Sequence, residues 1–302
     1  MTAFFTLRAA RLAATLLLLT APLALRAQDD LLDQLEQQPA AQPAVAEPVQ
    51  ATFKSTRLIN GHTVETPGEG TMVFLISHRF GTLNSGAYNF FGLDQASIRL
   101  GLEYAFSDNL EVGVGRSSLN KTLDGFVKYR ALRQSTGPRA LPLSVTLFGS
   151  AALNTLRYND AVERTFPRRL TYSYQALLAR KFSPDLSLQL MPTLIHRNLT
   201  MSREAKNDVY ALGAGGRYKL TKRFSLNAEY YYLLPDSKPA DVRNALALGF
   251  DIETGGHIFQ LHVTNAQGMI EPLFATETRG NFFKGDIYFG FNVNRNFTLR
   301  GR

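Results

Sequence analysis

The sequence predicts an all-β fold, an antiparallel transmembrane β-barrel of about twelve strands, and three observations predict it. Apolar and polar residues alternate with period two through most of the chain after Thr71, which puts successive side chains on opposite faces of extended strands. The faces opposite the apolar rows are polar or glycine, whereas a soluble barrel must fill its centre with apolar side chains. Tight polar turns also alternate with long polar loops, so one end of the sheet carries the short connections and the other the long ones.

The N-terminal segments come first. Arg8 and Arg11 precede the apolar run Leu12 to Leu19, and Ala27 closes Ala24-Leu25-Arg26-Ala27 ahead of Gln28-Asp29-Asp30. This reads as a signal peptide over residues 1–27, cleaved after Ala27. Its apolar run falls short of the ~20 residues that a spanning helix needs. Cysteine is absent, which excludes a lipid-modified N-terminus, disulfides, thiolate nucleophiles and cysteine-ligated metals. Residues 28–56 begin with Leu31, Leu32 and Leu35 and pass into Ala, Pro and Gln, the composition of a flexible periplasmic segment. Residues 57–70, "RLINGHTVETPGEG", are turn-rich, with Asn60-Gly61 and Pro67-Gly68, and read as an entry segment, plug or lid at the barrel's lower mouth carrying Asn60, His62 and Glu65. The barrel then occupies residues 71–302.

Its strands follow in order. Residues 71–80 set Met72, Phe74, Ile76 and His78 toward lipid and Val73, Leu75, Ser77 and Arg79 inward. Residues 95–106 set Ile98, Leu100, Leu102, Tyr104 and Phe106 against Ser97, Arg99, Gly101, Glu103 and Ala105, and 110–117 repeat the pattern with Leu110, Val112 and Val114. Strands at 122–132, 142–152, 170–182 and 186–198 come next, the last with Leu186, Leu188, Leu190 and Leu194 on one face. Those at 208–220, 224–234, 244–253, 257–266 and 285–297 complete the set. Three tight connections, Phe106 to Leu110, Phe182 to Leu186 and Leu220 to Phe224, each place a polar turn between two apolar residues. Glu253-Thr254-Gly255-Gly256 fits the same end. The connections at 154–169, 200–208, 235–244 and 266–286 are longer. Short turns mark the periplasmic side of a bacterial barrel, and an even strand number brings both termini there, in the outer membrane of a Gram-negative cell.

The block from Arg57 to Gln134 resembles an uncharacterised bacteroidete-type outer-membrane β-barrel family, a domain-of-unknown-function family. The matching pieces are "INGHTVE" at Ile59 to Glu65, "ISHRFG" at Ile76 to Gly81, "AYNFFGLD" at Ala87 to Asp94, "IRLG" at Ile98 to Gly101 and "VGRS" at Val114 to Ser117. The resemblance implies an outer-membrane location and brings no catalytic residues. One departure is that the chain continues beyond Phe297 to Arg302, whereas such barrels often end on an aromatic residue.

For function, the inward faces matter most. Arg99, Glu103, Glu111, Asp124, Lys128 and Arg130 all project toward the lumen. Ion pairs bracing the wall are the first reading of these six, and a constriction that selects solutes by charge is the second. Met269, Ile270, Leu273 and Phe274 give the 266–286 loop the character of a lid or of a contact for a hydrophobic ligand. His78 and His196 lie at lipid-facing outer ends, but neither has an alternation-matched serine for lipid hydrolysis. No metal-ligand spacing, phosphate loop or dinucleotide fingerprint appears. Gly213 and Gly215 in "GAGGR" read instead as places where the wall approaches a plug closely.

The net charge of +8, less Arg8, Arg11 and Arg26 of the signal, is +5, and the positive residues are scattered, so no nucleic-acid partner is expected. The expected partners are outer-membrane lipid and the barrel-assembly machinery during insertion, with no cofactor and no metal. A porin-like passive or selective channel for small solutes is the first functional expectation, and the chain is not expected to be an enzyme. A plugged barrel acting as a structural or surface-interaction protein is the alternative, and an outer-membrane lipid hydrolase stands a distant third.

Overall fold

The computed structural model describes residues 46–200 and 205–299. From Glu47 onward they form one compact unit. The expected signal peptide, 1–27, and the first part of the expected flexible segment, 28–45, lie outside the described residues.

Twelve strands close into a barrel. They are β1 (Thr71–Thr82), β2 (Ala96–Ser107), β3 (Leu110–Ser117), β4 (Leu123–Leu132), β5 (Ser144–Leu153) and β6 (Leu170–Lys181). The second half comprises β7 (Leu186–Arg197), β8 (Asp208–Lys219), β9 (Phe224–Leu233), β10 (Ala245–Thr254), β11 (His257–Thr264) and β12 (Tyr288–Thr298). Each pairs antiparallel with its sequence neighbours, and β12 returns to β1 with Val293 opposite Ile76. Closure leaves no unpaired edge, which a backbone in hydrocarbon requires.

The period-two pattern sets which face each residue takes. Leu100, Val114, Leu147 and Leu190 are exposed on the outer wall, while Val73, Arg99, Glu103, Lys128 and Glu229 are buried on the inner one. Most of the expected strand spans match to within a residue or two. The last one begins at Tyr288, not 285, because Asp286 is drawn into the preceding loop: its carboxylate accepts from the Asn281 N–H at 2.8 Å and from Asn84 Nδ2 at 2.6 Å. That strand continues one residue past Phe297.

Four connections are tight, at one end of the barrel, as the turn pattern predicts. The β4–β5 connection at that same end is longer, and its Ser135–Thr136 pairs with Glu47–Pro48 at the start of the described chain. From there the chain runs inside the barrel. Thr52, Phe53, Ser55, Thr56 and every residue from Arg57 to Val64 are buried, so the plug starts about five residues earlier than the expected boundary at 57. Phe53 is the reason the composition misleads there: its ring joins the buried cluster that contains Leu58 and Val64. From the opposite end, the β11–β12 loop folds inward and forms helix α1 (Glu271–Thr276) with all six residues buried. None of the described helices is long and apolar enough to cross a membrane.

Candidate functional site

The interior of the barrel is the only place where the chemistry-bearing residues of wall, plug and loop converge among the described residues. The plug is a short hairpin. Thr63 N–H donates to Thr56 O at 2.9 Å, Leu58 N–H to Gly61 O at 2.9 Å, and Arg57 bridges to His62 across the pair. A lone hairpin in a lumen has backbone groups on both edges that need partners. Wall side chains supply them. Gln189 on β7 accepts from Val64 N–H at 2.9 Å and donates to His62 O at 2.8 Å, so one amide imitates a neighbouring strand. Gln260 on β11 donates to Leu58 O at 2.5 Å, Asn292 on β12 to Ile59 O at 2.9 Å, and Thr146 on β5 to Val64 O at 2.9 Å.

The tip is held most closely. The Glu229 carboxylate on β9 accepts from the N–H groups of Ile59, Asn60 and Gly61 at 3.3, 3.2 and 3.0 Å. Successive amides aimed at one anion form a small positive cradle. Arg79 Nη2 donates to Asn60 Oδ1 at 2.6 Å from the other side. Two glycines permit this approach: a Cβ on Gly61 would stand 2.2 Å from Tyr231 Oη, and one on Gly215 would stand 2.3 Å from Leu58 Cδ2. Asn60 and His62 therefore lie well inside the lumen, not at its lower mouth. His62 is sandwiched between Phe126 and Phe148, with ring centroids 4.5 and 4.4 Å away. That burial, with Arg57, Lys128 and Arg99 nearby, holds its pKa well below the usual histidine range, so the ring is neutral.

The six predicted lumen charges all face inward, and each has a partner of opposite sign. Arg99 Nε bonds Asp124 Oδ1 at 2.9 Å, and Lys128 Nζ stands 3.0 Å from Glu111 Oε2, a pair with no solvent exposure. Glu103 pairs with the plug rather than with the wall: Thr56 Oγ1 donates to it at 2.7 Å and Arg57 Nη2 lies 3.5 Å away. Arg130 reaches Glu65 at 3.3 Å. Four of the six thus brace the wall, and two, Glu103 and Arg130, fix the plug.

The lid residues Met269, Ile270, Leu273 and Phe274 are buried, with Phe274 against Tyr231 at 4.9 Å between centroids and Ile270 and Leu273 beside Ala152. Arg197, at the long-loop end of β7, holds the helix through Pro272 O at 3.1 Å, the Thr276 hydroxyl and Glu277 at 3.2 Å. Plug and lid meet at Glu271, whose Oε1 is 3.8 Å from Arg57 Nη1 and 3.9 Å from His62 Nε2. Burial pushes the Glu271 carboxyl up to about 7, against the pull of Arg57. The void where plug, lid and wall meet is about 10 Å³, space for one water at most.

Arg57, Glu229, Glu271 and the wall amides Gln189, Gln260 and Asn292 were not singled out from the sequence. Alternation alone puts Glu229, Gln189 and Asn292 inward, but nothing local says that they meet a hairpin far away in the chain. The two outward histidines lie elsewhere. His78 stacks on Phe291 at 4.9 Å, and His196 Nδ1 lies 2.6 Å from Asp208 Oδ1. Among the described residues neither is hydrogen-bonded to a serine.

Comparison with known proteins places this architecture. The model of the family described as "Membrane bound beta barrel domain (DUF5777)" matches residues 53–297, which takes in the plug from Phe53 as well as the barrel. The chain belongs to that family. Within this membrane-bound family the exposed apolar rows of the outer wall are the surface that faces lipid. No curated protein sequence matches the chain. Among solved structures, the chain resembles the NanC porin at 10% identity over 76% of this chain and 100% of that one, with a TM-score of 0.46. It also resembles the KdgM porin, at 11% over 75% and 99% with a TM-score of 0.45. Outer membrane phospholipase A from Escherichia coli matches at 12% over 76% and 91% with a TM-score of 0.43. Likenesses this distant say nothing about what the barrel does.

Proposed function

We propose that this protein is an outer-membrane channel for small solutes, closed at rest by the hairpin plug from one end and by helix α1 from the other. The observation that carries the reading is the chemistry of the wall beneath the plug. Arg79, Arg99, Glu103, Lys128, Gln189, Glu229 and Asn292 all face the lumen and are buried. A barrel needing only rigidity could fill its centre with apolar side chains and avoid the cost of desolvating charges. A polar wall can instead exchange the plug for water and solute when the plug withdraws.

The usual position of short turns on the periplasmic side of a bacterial barrel supports a periplasmic approach for the plug and an extracellular α1 loop. Outer-membrane lipid and the barrel-assembly machinery are the partners that this reading requires, and no reaction is assigned to the protein. A plugged scaffold is the second reading, favoured by the hydrogen bonds that wall side chains make to the hairpin's backbone at Leu58 to Gly61, His62 and Val64.

Planar-bilayer recording separates the two. Wild-type protein is expected to be closed most of the time, and a variant lacking residues 52–66 to conduct steadily, with an ion preference that shifts when Lys128→Gln is added. A plug-deleted barrel that folds, as shown by its heat-dependent gel migration, and still does not conduct would leave the scaffold reading.

A further inference from the structure

The long-loop end carries an apolar feature that the lumen does not explain. The loop joining β1 to β2, Leu83 to Gln95, contains one charged residue, Asp94. Tyr88 in it is 96% exposed, Phe90 61% and Phe91 54%. Phe90 and Phe91 both hold left-handed backbone, with φ of 46° and 53°. That conformation is unfavourable for bulky side chains and persists where something over-determines it.

Next to this loop, the β11–β12 loop turns at Phe282–Lys284 and leaves Phe283 90% exposed. The two loops are tied together: Leu83 N–H donates to Ile287 O at 2.8 Å and Asn84 Nδ2 to Asp286 Oδ1 at 2.6 Å. Both spring from strands whose outward faces carry stacked rings. Phe80 lies 5.7 Å from Phe289 and His78 4.9 Å from Phe291. The exposed rings therefore extend the lipid-facing aromatic row past the strand ends.

We propose that these two loops form an aromatic foot that seats Tyr88, Phe90, Phe91 and Phe283 in the lipid–water interface of the leaflet around the long loops. Water is a poor solvent for four exposed rings, while the headgroup region suits aromatic side chains. Continuity with the lipid-covered wall selects a lipid surface over a protein partner. Lys284, directly after Phe283, can direct its ammonium toward lipid phosphate while its stem stays apolar. The foot stands whether or not the lumen opens.

The chain has no tryptophan, so one introduced tryptophan reports its own position. Phe91→Trp and Phe283→Trp are compared with Leu102→Trp on the lipid-facing wall and Val162→Trp in the 154–169 loop. Each is folded into phosphatidylcholine vesicles whose acyl chains carry bromine either near the headgroup or near the chain end. Fluorescence at 91 and 283 is expected to fall by half or more with the shallow bromines, to fall less with the deep ones, and to resist aqueous iodide. Leu102→Trp should show the reverse depth preference. If both loop positions follow Val162→Trp, quenched by iodide and untouched by bromine, the rings face water and the proposal is overturned in favour of a protein partner. Tyr88→Trp provides a third reading should either phenylalanine variant fail to show the folded gel migration.

Discussion

At Gly61 the plug's tip has no room for a methyl group, since an added Cβ would stand 2.2 Å from the hydroxyl of Tyr231, itself fully buried. Gly61→Ala must shift the tip away from Glu229 or push Tyr231 into its packed neighbours. Overpacking of this kind costs about 1–3 kcal/mol, to be read from urea unfolding in vesicles. Glu271 offers a pH-dependent test. In the unfolded chain its carboxyl ionises around the ordinary 4.5, but in the folded protein it keeps its proton up to about 7. The folded state therefore binds more protons in that window, and the contribution of Glu271 to stability falls as pH rises through it. Glu271→Gln removes that loss. The stability of the variant minus that of the wild type is expected to grow from pH 4.5 to 7 by up to about 3 kcal/mol. His62, held neutral by burial, acts with the opposite sign below its ordinary 6.5 and lies 3.9 Å from Glu271, so the same comparison in a His62→Gln background separates the two. A flat difference curve would remove Glu271 from any account of how plug and lid are held.

Among the elements, Arg57 of the plug faces Glu103 on β2 and Glu271 on α1 at the same time. Loosening the lid should therefore loosen the plug. In a double-mutant cycle, Arg57→Met and Glu271→Gln are expected to couple by about 1 kcal/mol or more, because groups in one buried network are not additive. Simple additivity would show that the two closures are independent. The strands themselves were legible from the sequence because each one has a face in lipid, so Ile98, Leu100 and Leu102 must alternate with Ser97, Arg99 and Gly101. The six-residue helix α1 was not, because "EPLFAT" is too short to show a helical period and its residues are buried all round. The hairpin was legible only as turns. "INGHTVE" shows where the chain bends, but its depth in the lumen depends on Gln189, Gln260 and Asn292, which come 125 or more positions later.

For the whole molecule, closure of the lumen rests on buried pairs and not on surface charge. Screening by salt acts on solvent-exposed charges and little on buried ones. In the bilayer recording the wild-type barrel should therefore stay closed from about 0.1 to 1 M salt. Opening that rises steeply with salt would place the controlling contacts at an exposed site such as Lys54 with Glu253. By itself the sequence determined the barrel, its strand order, its two unlike ends and the inward direction of Arg99, Glu103, Glu111, Asp124, Lys128 and Arg130. Lipid on one side of every strand enforces an alternation that one short stretch displays, and hairpin connections leave few orders to choose from. Only the tertiary structure decided that the lumen is closed, that Glu103 serves the plug while Asp124 serves the wall, and that the 266–286 loop turns inward. Those outcomes depend on contacts between segments far apart in the chain, and polar side chains in a lumen can meet water, each other or a plug without any change in their local pattern.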